Sequence, residues 1–178
     1  GRAGGRGSVN AICDHKAIGC KDIIIPYAKL ETKEQIDAFV ERVNTLIPKL
    51  QAEGISLHYH NHDCDFAPTP EGLVPEEELL ARTSILLEVD TYWTFVAKQN
   101  PVEFIRQHKD RIRMIHLKDG MGDHTGKSLG QGVAPVKEVR QAAIELGFPM
   151  IVESEGLDPT GLEEVKRCIE FLKEEDAK

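Results

Sequence analysis

Long hydrophobic runs are missing from this sequence. None approaches the roughly 20 residues that cross a bilayer, and no basic-then-apolar leader opens it. The expectation is a cytoplasmic protein with no membrane partner. Cysteine is sparse too: Cys13, Cys20, Cys64 and Cys168 are scattered without a CxxC pair, which argues against a zinc knuckle or a disulfide framework. Basic residues are outnumbered, 22 Lys and Arg against 30 Asp and Glu, for a formal net charge of -8. Nucleic acid is therefore not an expected partner, because binding phosphates requires a basic surface. Phosphate-loop motifs are absent as well. The stretch "GMGDHTGKSLGQG" (120–132) is rich in glycine but matches neither GxxxxGKS nor GxGxxG, and it predicts a mobile loop over a cleft rather than a nucleotide site.

What is present suits a globular fold. Hydrophobic residues make up 40% and charged residues 29% of 178 positions, one domain's worth of chain. The opening "GRAGGRGS" has no apolar periodicity and reads as a flexible tail or loop remnant over 1–8, with a single domain over 9–178. A short helix is expected from Val9 to Gly19, then a buried strand at "KDIIIPY" (21–27). A longer helix follows, opened by a Thr32-x-x-Gln35 capping box, striped with Ile36, Phe39, Val40, Val43, Leu46, Ile47 and Leu50, and closed by Gly54. Pro48 should bend or weaken its last turns. Further strands are expected at "ISLHYHNH" (55–62), "ILLEVD" (85–90), "IRMIHLKD" (112–119) and "PMIVESE" (149–155). Helices intervene: one from Asn100 as N-cap with Pro101 first, one from Pro135 to a stop at Gly147, and a last one from Thr160 through Leu162, Val165, Ile169 and Leu172. Five strands alternating with helices define an α/β fold with a parallel sheet.

Parallel strands are buried on both faces, so polar groups along them need a reason. Four strands end in such groups two residues apart: His60 and His62, Glu88 and Asp90, His116 and Lys118, Glu153 and Glu155. A period of two puts each pair on one face of its strand. In a parallel sheet these ends share one edge, where α/β folds bind their ligands. Carboxylates and imidazoles converging without paired cysteines suit a divalent ion, Mn2+ or Mg2+ before Zn2+. From periodicity alone a flavodoxin-like open sheet fits equally, though it would lack its phosphate loop.

The stretches "IIIPY", "LHYHNHDCDF", "LLEVDTYW", "RIRMIHLKDG", "LGQGV" and "MIVESE", in this order, resemble the xylose-isomerase-like barrels, specifically the sugar phosphate isomerase/epimerase group. The resemblance runs from about residue 11 to 174 and implies a (β/α)8 TIM-barrel fold. Five of its eight strands are visible, corresponding to the last five, so the first three βα units are absent and the barrel is incomplete. An open barrel exposes strand edges; association with another copy or a companion fragment, along 21–27, is therefore expected.

The resemblance also implies a four-ligand metal site at Asp65, Asp90, His116 and Glu153. The family usually has glutamate where Asp65 stands, and Asp65 has the opposite strand parity to His60 and His62. The chain must therefore leave the strand between 62 and 65 for Asp65 to face the cleft. Glu153 and Asp65 are the implied proton carriers, with His62 as a third catalytic candidate. His60, Trp93, Lys118 and Glu88 are implied substrate contacts, and His58 is expected to be merely packed. Lys118 could instead pair with Asp119 or Glu88. A metal bridging two neighbouring substrate oxygens would favour an enediolate, and so isomerisation or epimerisation of a sugar or sugar phosphate. A sugar-acid dehydratase or lyase, or a degenerate sugar-binding fragment, is the alternative, and a metal-dependent endonuclease is disfavoured by the acidity.

Overall fold

The computed structural model describes residues 12–177. The expected tail at 1–8 and the start of the first helix at Val9 lie outside them. The chain forms two compact units. One takes in the described residues to His60 together with Pro68–Leu86, and the other Asn61–Ala67 and everything from Leu87.

In the first unit a short helix, α1 (12–17), is followed by Gly19 in the left-handed region at φ 71°. Strand β1 (Asp22–Ile25) pairs in parallel with β2 (Ser56–His60), Ile23 opposite Leu57 and Ile25 opposite Tyr59. The connection between them is α2 (Lys33–Ala52), whose Ile36, Phe39, Val40, Val43, Ile47 and Leu50 are buried as the stripe predicts, while Leu46 is only half-buried. Its capping differs in detail from the expected box. Thr32 Oγ1 accepts from the Gln35 N–H at 3.3 Å, but the Gln35 side chain reaches back to the Glu31 N–H, one residue earlier. Pro48 does not end the helix: it lies on the exposed side, between buried Ile47 and Leu50, and the helix runs on to Ala52. Helix α3 (Pro75–Arg82) is joined to α2 by Arg82, which bonds Asp37 at 2.7 Å and Glu78 at 3.0 Å. His58 is fully buried with Nε2 2.8 Å from Asp22 Oδ1, the packed role expected of it.

The second unit begins with a 3-10 turn, Asp63–Phe66, so the chain does leave the strand after His60. Strand β3 (Leu86–Asp90) leads into α4 (Thr91–Val96) and α5 (Pro101–Gln107). Asn100 Oδ1 caps α5 by accepting from Val102 and Glu103, with Pro101 at its first position. Strand β4 (Ile112–Leu117) pairs in parallel with β3, Asp90 opposite His116, and also with β7 (Met150–Val152), His116 opposite Ile151. Between β4 and β7 come a hairpin of β5 (Asp119–Gly120) and β6 (Gly126–Lys127), then α6 (Val136–Leu146) ending at Gly147, φ 74°. α7 (Gly161–Asp176) completes the unit, with Thr160 accepting from the Glu163 N–H. Among the described residues no helix is long and apolar enough to cross a membrane.

Two expectations change here. The stretch at 120–132, expected to be a mobile loop, is held by two buried side chains. Asp119, 1% exposed, accepts N–H bonds from Gly120, Gly130, Gly132 and Ala134 at 2.8 to 3.1 Å. Gly132 is required for this approach, since a Cβ there would run into Asp119 Oδ1 and the Gly120 backbone. The Tyr92 hydroxyl adds a second anchor, donating to the Asp123 carbonyl at 2.5 Å and accepting from the Gly122 N–H. The other change concerns α7. Its expected apolar stripe is turned outward, with Leu162 78%, Val165 45% and Ile169 47% exposed. The inward face carries Glu164 and Cys168 instead, because Glu164 accepts from Ser154 and from the Leu157 N–H, and Cys168 Sγ from the Leu129 N–H.

Asp119→Ala removes the acceptor of four N–H groups and should cost about 3 kcal/mol, the scale of buried donors left unmatched. Urea unfolding followed by far-ultraviolet circular dichroism checks this. An unchanged midpoint would show that the loop does not depend on Asp119.

Candidate metal centre

Asp90 is the last residue of β3 and the N-cap of α4, its Oδ1 accepting from Tyr92 N at 2.9 Å and Trp93 N at 3.0 Å. This cap explains a helix that sequence reasoning missed: "TYWTFV" is rich in aromatic and β-branched residues, which are weak helix formers, and the carboxylate starts it. Asn61 clamps the Asp90 backbone on both sides. Its Oδ1 accepts from Asp90 N at 3.0 Å, and its Nδ2 donates to the Asp90 carbonyl at 3.1 Å and to Thr94 Oγ1 at 3.3 Å. Asn61 was not foreseen either; its signal was a buried amide between two histidines.

Register carries the neighbours to the same edge. His116 lies opposite Asp90, and Glu153 follows β7 directly, its N–H bonded to the Leu117 carbonyl at 3.2 Å. Asp90, His116 and Glu153 each offer a ligand atom, and these atoms lie within 4.8 Å of one another. His116 stands between two carboxylates, with Nδ1 3.2 Å from Glu153 Oε2 and Nε2 3.3 Å from Glu88 Oε1. Burial works against its charged form, yet the hydrogen bond with Glu153 and the charges of Glu88, Glu153 and Asp90 outweigh it, and the imidazole pKa rises above 6.5. Three carboxylates around one imidazole make a donor set with a strong excess of negative charge. A divalent cation suits such a set, since oxygen and imidazole ligands together hold Mg2+, Mn2+ or Zn2+.

Lys118 stands behind this group. Its ammonium, 1% exposed, pairs with Glu155, lies 3.5 Å from Glu153 Oε2, and sits 4.4 Å from the centroid of the Trp93 ring. Of the two other suggested partners, Asp119 accepts from the loop N–H groups and Glu88 faces His116. Trp93, 7% exposed, also stacks near the rings of His62 at 5.9 Å and His124 at 5.1 Å. It therefore borders the charged group as a wall residue would. Glu155, present in the strand-end pattern but not singled out, joins the site through Lys118.

Asp65 lies in the turn that follows β2. Its carboxylate is buried and caps its own turn, Oδ2 accepting from the His62 N–H at 2.8 Å. It is not among the converging ligand atoms. A 3-10 turn brings positions 62 and 65 together, so the short acid closes on the backbone there. His62 lies beside Trp93 and outside the converging group, while His60, 6% exposed, closes β2 in the first unit.

Parallel strands alternating with helices carry a candidate metal site at their carboxyl ends. The chain belongs to the xylose isomerase-like TIM barrel family, whose model matches residues 11–175. Among solved structures it is similar to a sugar phosphate isomerase/epimerase from Parabacteroides distasonis ATCC 8503, with 27% identity and a TM-score of 0.81, over 94% of this chain and 64% of that one. It is also similar in fold to a D-tagatose 3-epimerase-like protein, with 20% identity, a TM-score of 0.72, and 93% and 66% of the two chains covered. A xylose isomerase-like barrel protein from Mycobacterium smegmatis, solved in complex with magnesium, matches with 17% identity and a TM-score of 0.67, over 96% of this chain and 65% of that one. The chain thus spans slightly less than two-thirds of the length of each of these structures. No curated protein matches the sequence.

Asparagine caps helices as well as aspartate, so Asp90→Asn should keep α4 while losing a charged ligand. Mn2+ titration by calorimetry should show binding weakened about 100-fold or more in Asp90→Asn, and about tenfold in Asn61→Ala, which loses only an outer support. Equal affinities would place the metal elsewhere. A metal must displace the imidazole proton, so Mn2+ affinity should fall about tenfold per pH unit below the raised His116 pKa. In the metal-free protein the sign reverses: charged His116 contributes stability that is full below the unfolded pKa near 6.5 and lost as pH rises through the higher folded value.

Proposed function

We propose that the protein is a metal-dependent isomerase or epimerase of a sugar or sugar phosphate. The observation that supports this most is the convergence of Asp90, His116 and Glu153 with the buried Lys118 ammonium 3.5 Å from Glu153. Asp90, His116 and Glu153 are the residues that would hold the ion, with Mn2+ or Mg2+ favoured by the preponderance of oxygen donors. A divalent ion held there supplies Lewis-acid polarisation of a substrate carbonyl.

The chain's own residues then move the proton. Glu153 is the carboxylate that takes it from the carbon next to the carbonyl, being both partly accessible and fixed by His116 and Lys118. Lys118 faces the negative charge that develops on substrate oxygen, in a buried setting where that attraction is strong. Trp93 offers its ring to the apolar face of the sugar. One base on one face suffices for aldose-ketose isomerisation, in which the proton returns to the same side. Epimerisation needs a second acid on the opposite face, and Asp65 could act there only by giving up its bond to the His62 N–H.

The test is solvent-deuterium incorporation into ketoses in D2O with Mg2+, followed by NMR. Wild-type protein should label the carbon beside the carbonyl, and Glu153→Gln should slow labelling by about 10² to 10⁴, the contribution of a positioned base. Asp65→Asn should spare aldose-ketose exchange. No labelling across hexoses, pentoses and their phosphates would sink the assignment.

A further inference from the structure

A polar cavity of about 320 Å³ opens beside the candidate metal centre, within the second unit, lined among others by His124, Lys127, Gln131, Glu155, Asp158 and Arg167. Glu155 belongs to both places: its carboxylate holds the Lys118 ammonium, which in turn faces Glu153. A molecule reacting at Glu153 therefore has space to extend past Glu155 into this cavity.

The cavity is shaped by the fold rather than left over. The β5–β6 hairpin, pinned by Asp119, forms one side. The other is the 155–158 segment, held by buried Glu164 through the Ser154 hydroxyl and the Leu157 N–H, both at 2.7 Å. Two glycines let these sides approach. A Cβ at Gly126 would press on Glu155 Cβ and Gly156 N at 3.3 Å, and one at Gly156 would collide with Glu164 Oε1.

Its chemistry selects the occupant. Lys127 and Arg167 are opposed by Glu155, Asp158 and Glu164, so the lining carries one more negative than positive charge. Arg167 is already engaged by Ser128 Oγ at 3.0 Å and by the Asp158 carbonyl. A phosphate dianion would meet repulsion from three carboxylates here, offset among the described lining residues by Lys127 and by an Arg167 already hydrogen-bonded within the protein. Carboxylates, an amide, an imidazole and an ammonium are instead the groups that exchange hydrogen bonds with hydroxyls, and the volume lies at the small end of ligand sites.

We propose that this cavity is a subsite for a neutral, polyhydroxylated ring, so that the substrate is a glycosylated ketose rather than a free or phosphorylated one. This rests on the function proposed above. The test measures binding of isomaltulose, a glucosyl-fructose, against D-fructose and fructose 6-phosphate by calorimetry with Mg2+, on the full chain and on Gln131→Trp and Lys127→Ala. Gln131 is an exposed side chain, so a tryptophan there fills the cavity without disturbing the core. The disaccharide should bind at least about tenfold tighter than fructose, and Gln131→Trp should abolish that advantage while leaving fructose binding unchanged. Tighter binding of fructose 6-phosphate, no disaccharide binding, or indifference to Gln131→Trp would overturn the subsite. Deuterium exchange in the same samples separates the two readings. The expected binding pattern without exchange keeps the subsite and sinks the isomerase, whereas exchange without disaccharide preference sinks the subsite alone.

Discussion

The Asp90 carboxylate is where fold and chemistry meet. Its Oδ1 starts α4 by capping two N–H groups, its backbone is locked by Asn61, and the same side chain contributes to the converging ligand group. A side chain that caps a helix cannot rotate without unravelling the first turn that carries Trp93, so the geometry of this candidate ligand is fixed by the fold alone. Parallel register then does the rest, setting His116 opposite Asp90 and Glu153 just beyond β7.

Asp119 plays the corresponding part for the loop. Four N–H groups converge on one buried carboxylate, an arrangement that offsets the cost of burying its charge. The loop is therefore a shaped wall. Its position relative to Lys118 is set by adjacency to Asp119, and the Lys118–Glu155 pair links the candidate metal centre to the neighbouring cavity.

The strand-end pattern made much of this legible. Pairs two residues apart at Glu88 and Asp90, His116 and Lys118, Glu153 and Glu155 do lie together, because strand parity and parallel register are both readable from short apolar runs. The family resemblance likewise pointed to Asp90, His116 and Glu153, whose ligand atoms lie within 4.8 Å of one another. Local geometry beyond the strands was not legible. Asp65 was assigned by position in a motif, but a 3-10 turn folds its carboxylate onto the His62 N–H, and no periodicity announces that. Helix α4 escaped because its residues are poor helix formers and its cap was read only as a ligand. The outward apolar side of α7 escaped because two polar anchors, Glu164 and Cys168, outweigh its stripe in setting its rotation.

Acidic side chains, a buried ammonium and an aromatic wall converge at one strand edge, and the proposed proton transfer depends on cation binding there. The direct measurement is an anomalous difference map from crystals grown with Mn2+. The account predicts one strong peak bound by Asp90, His116 and Glu153. A peak at other residues, or none at saturating Mn2+, would contradict it.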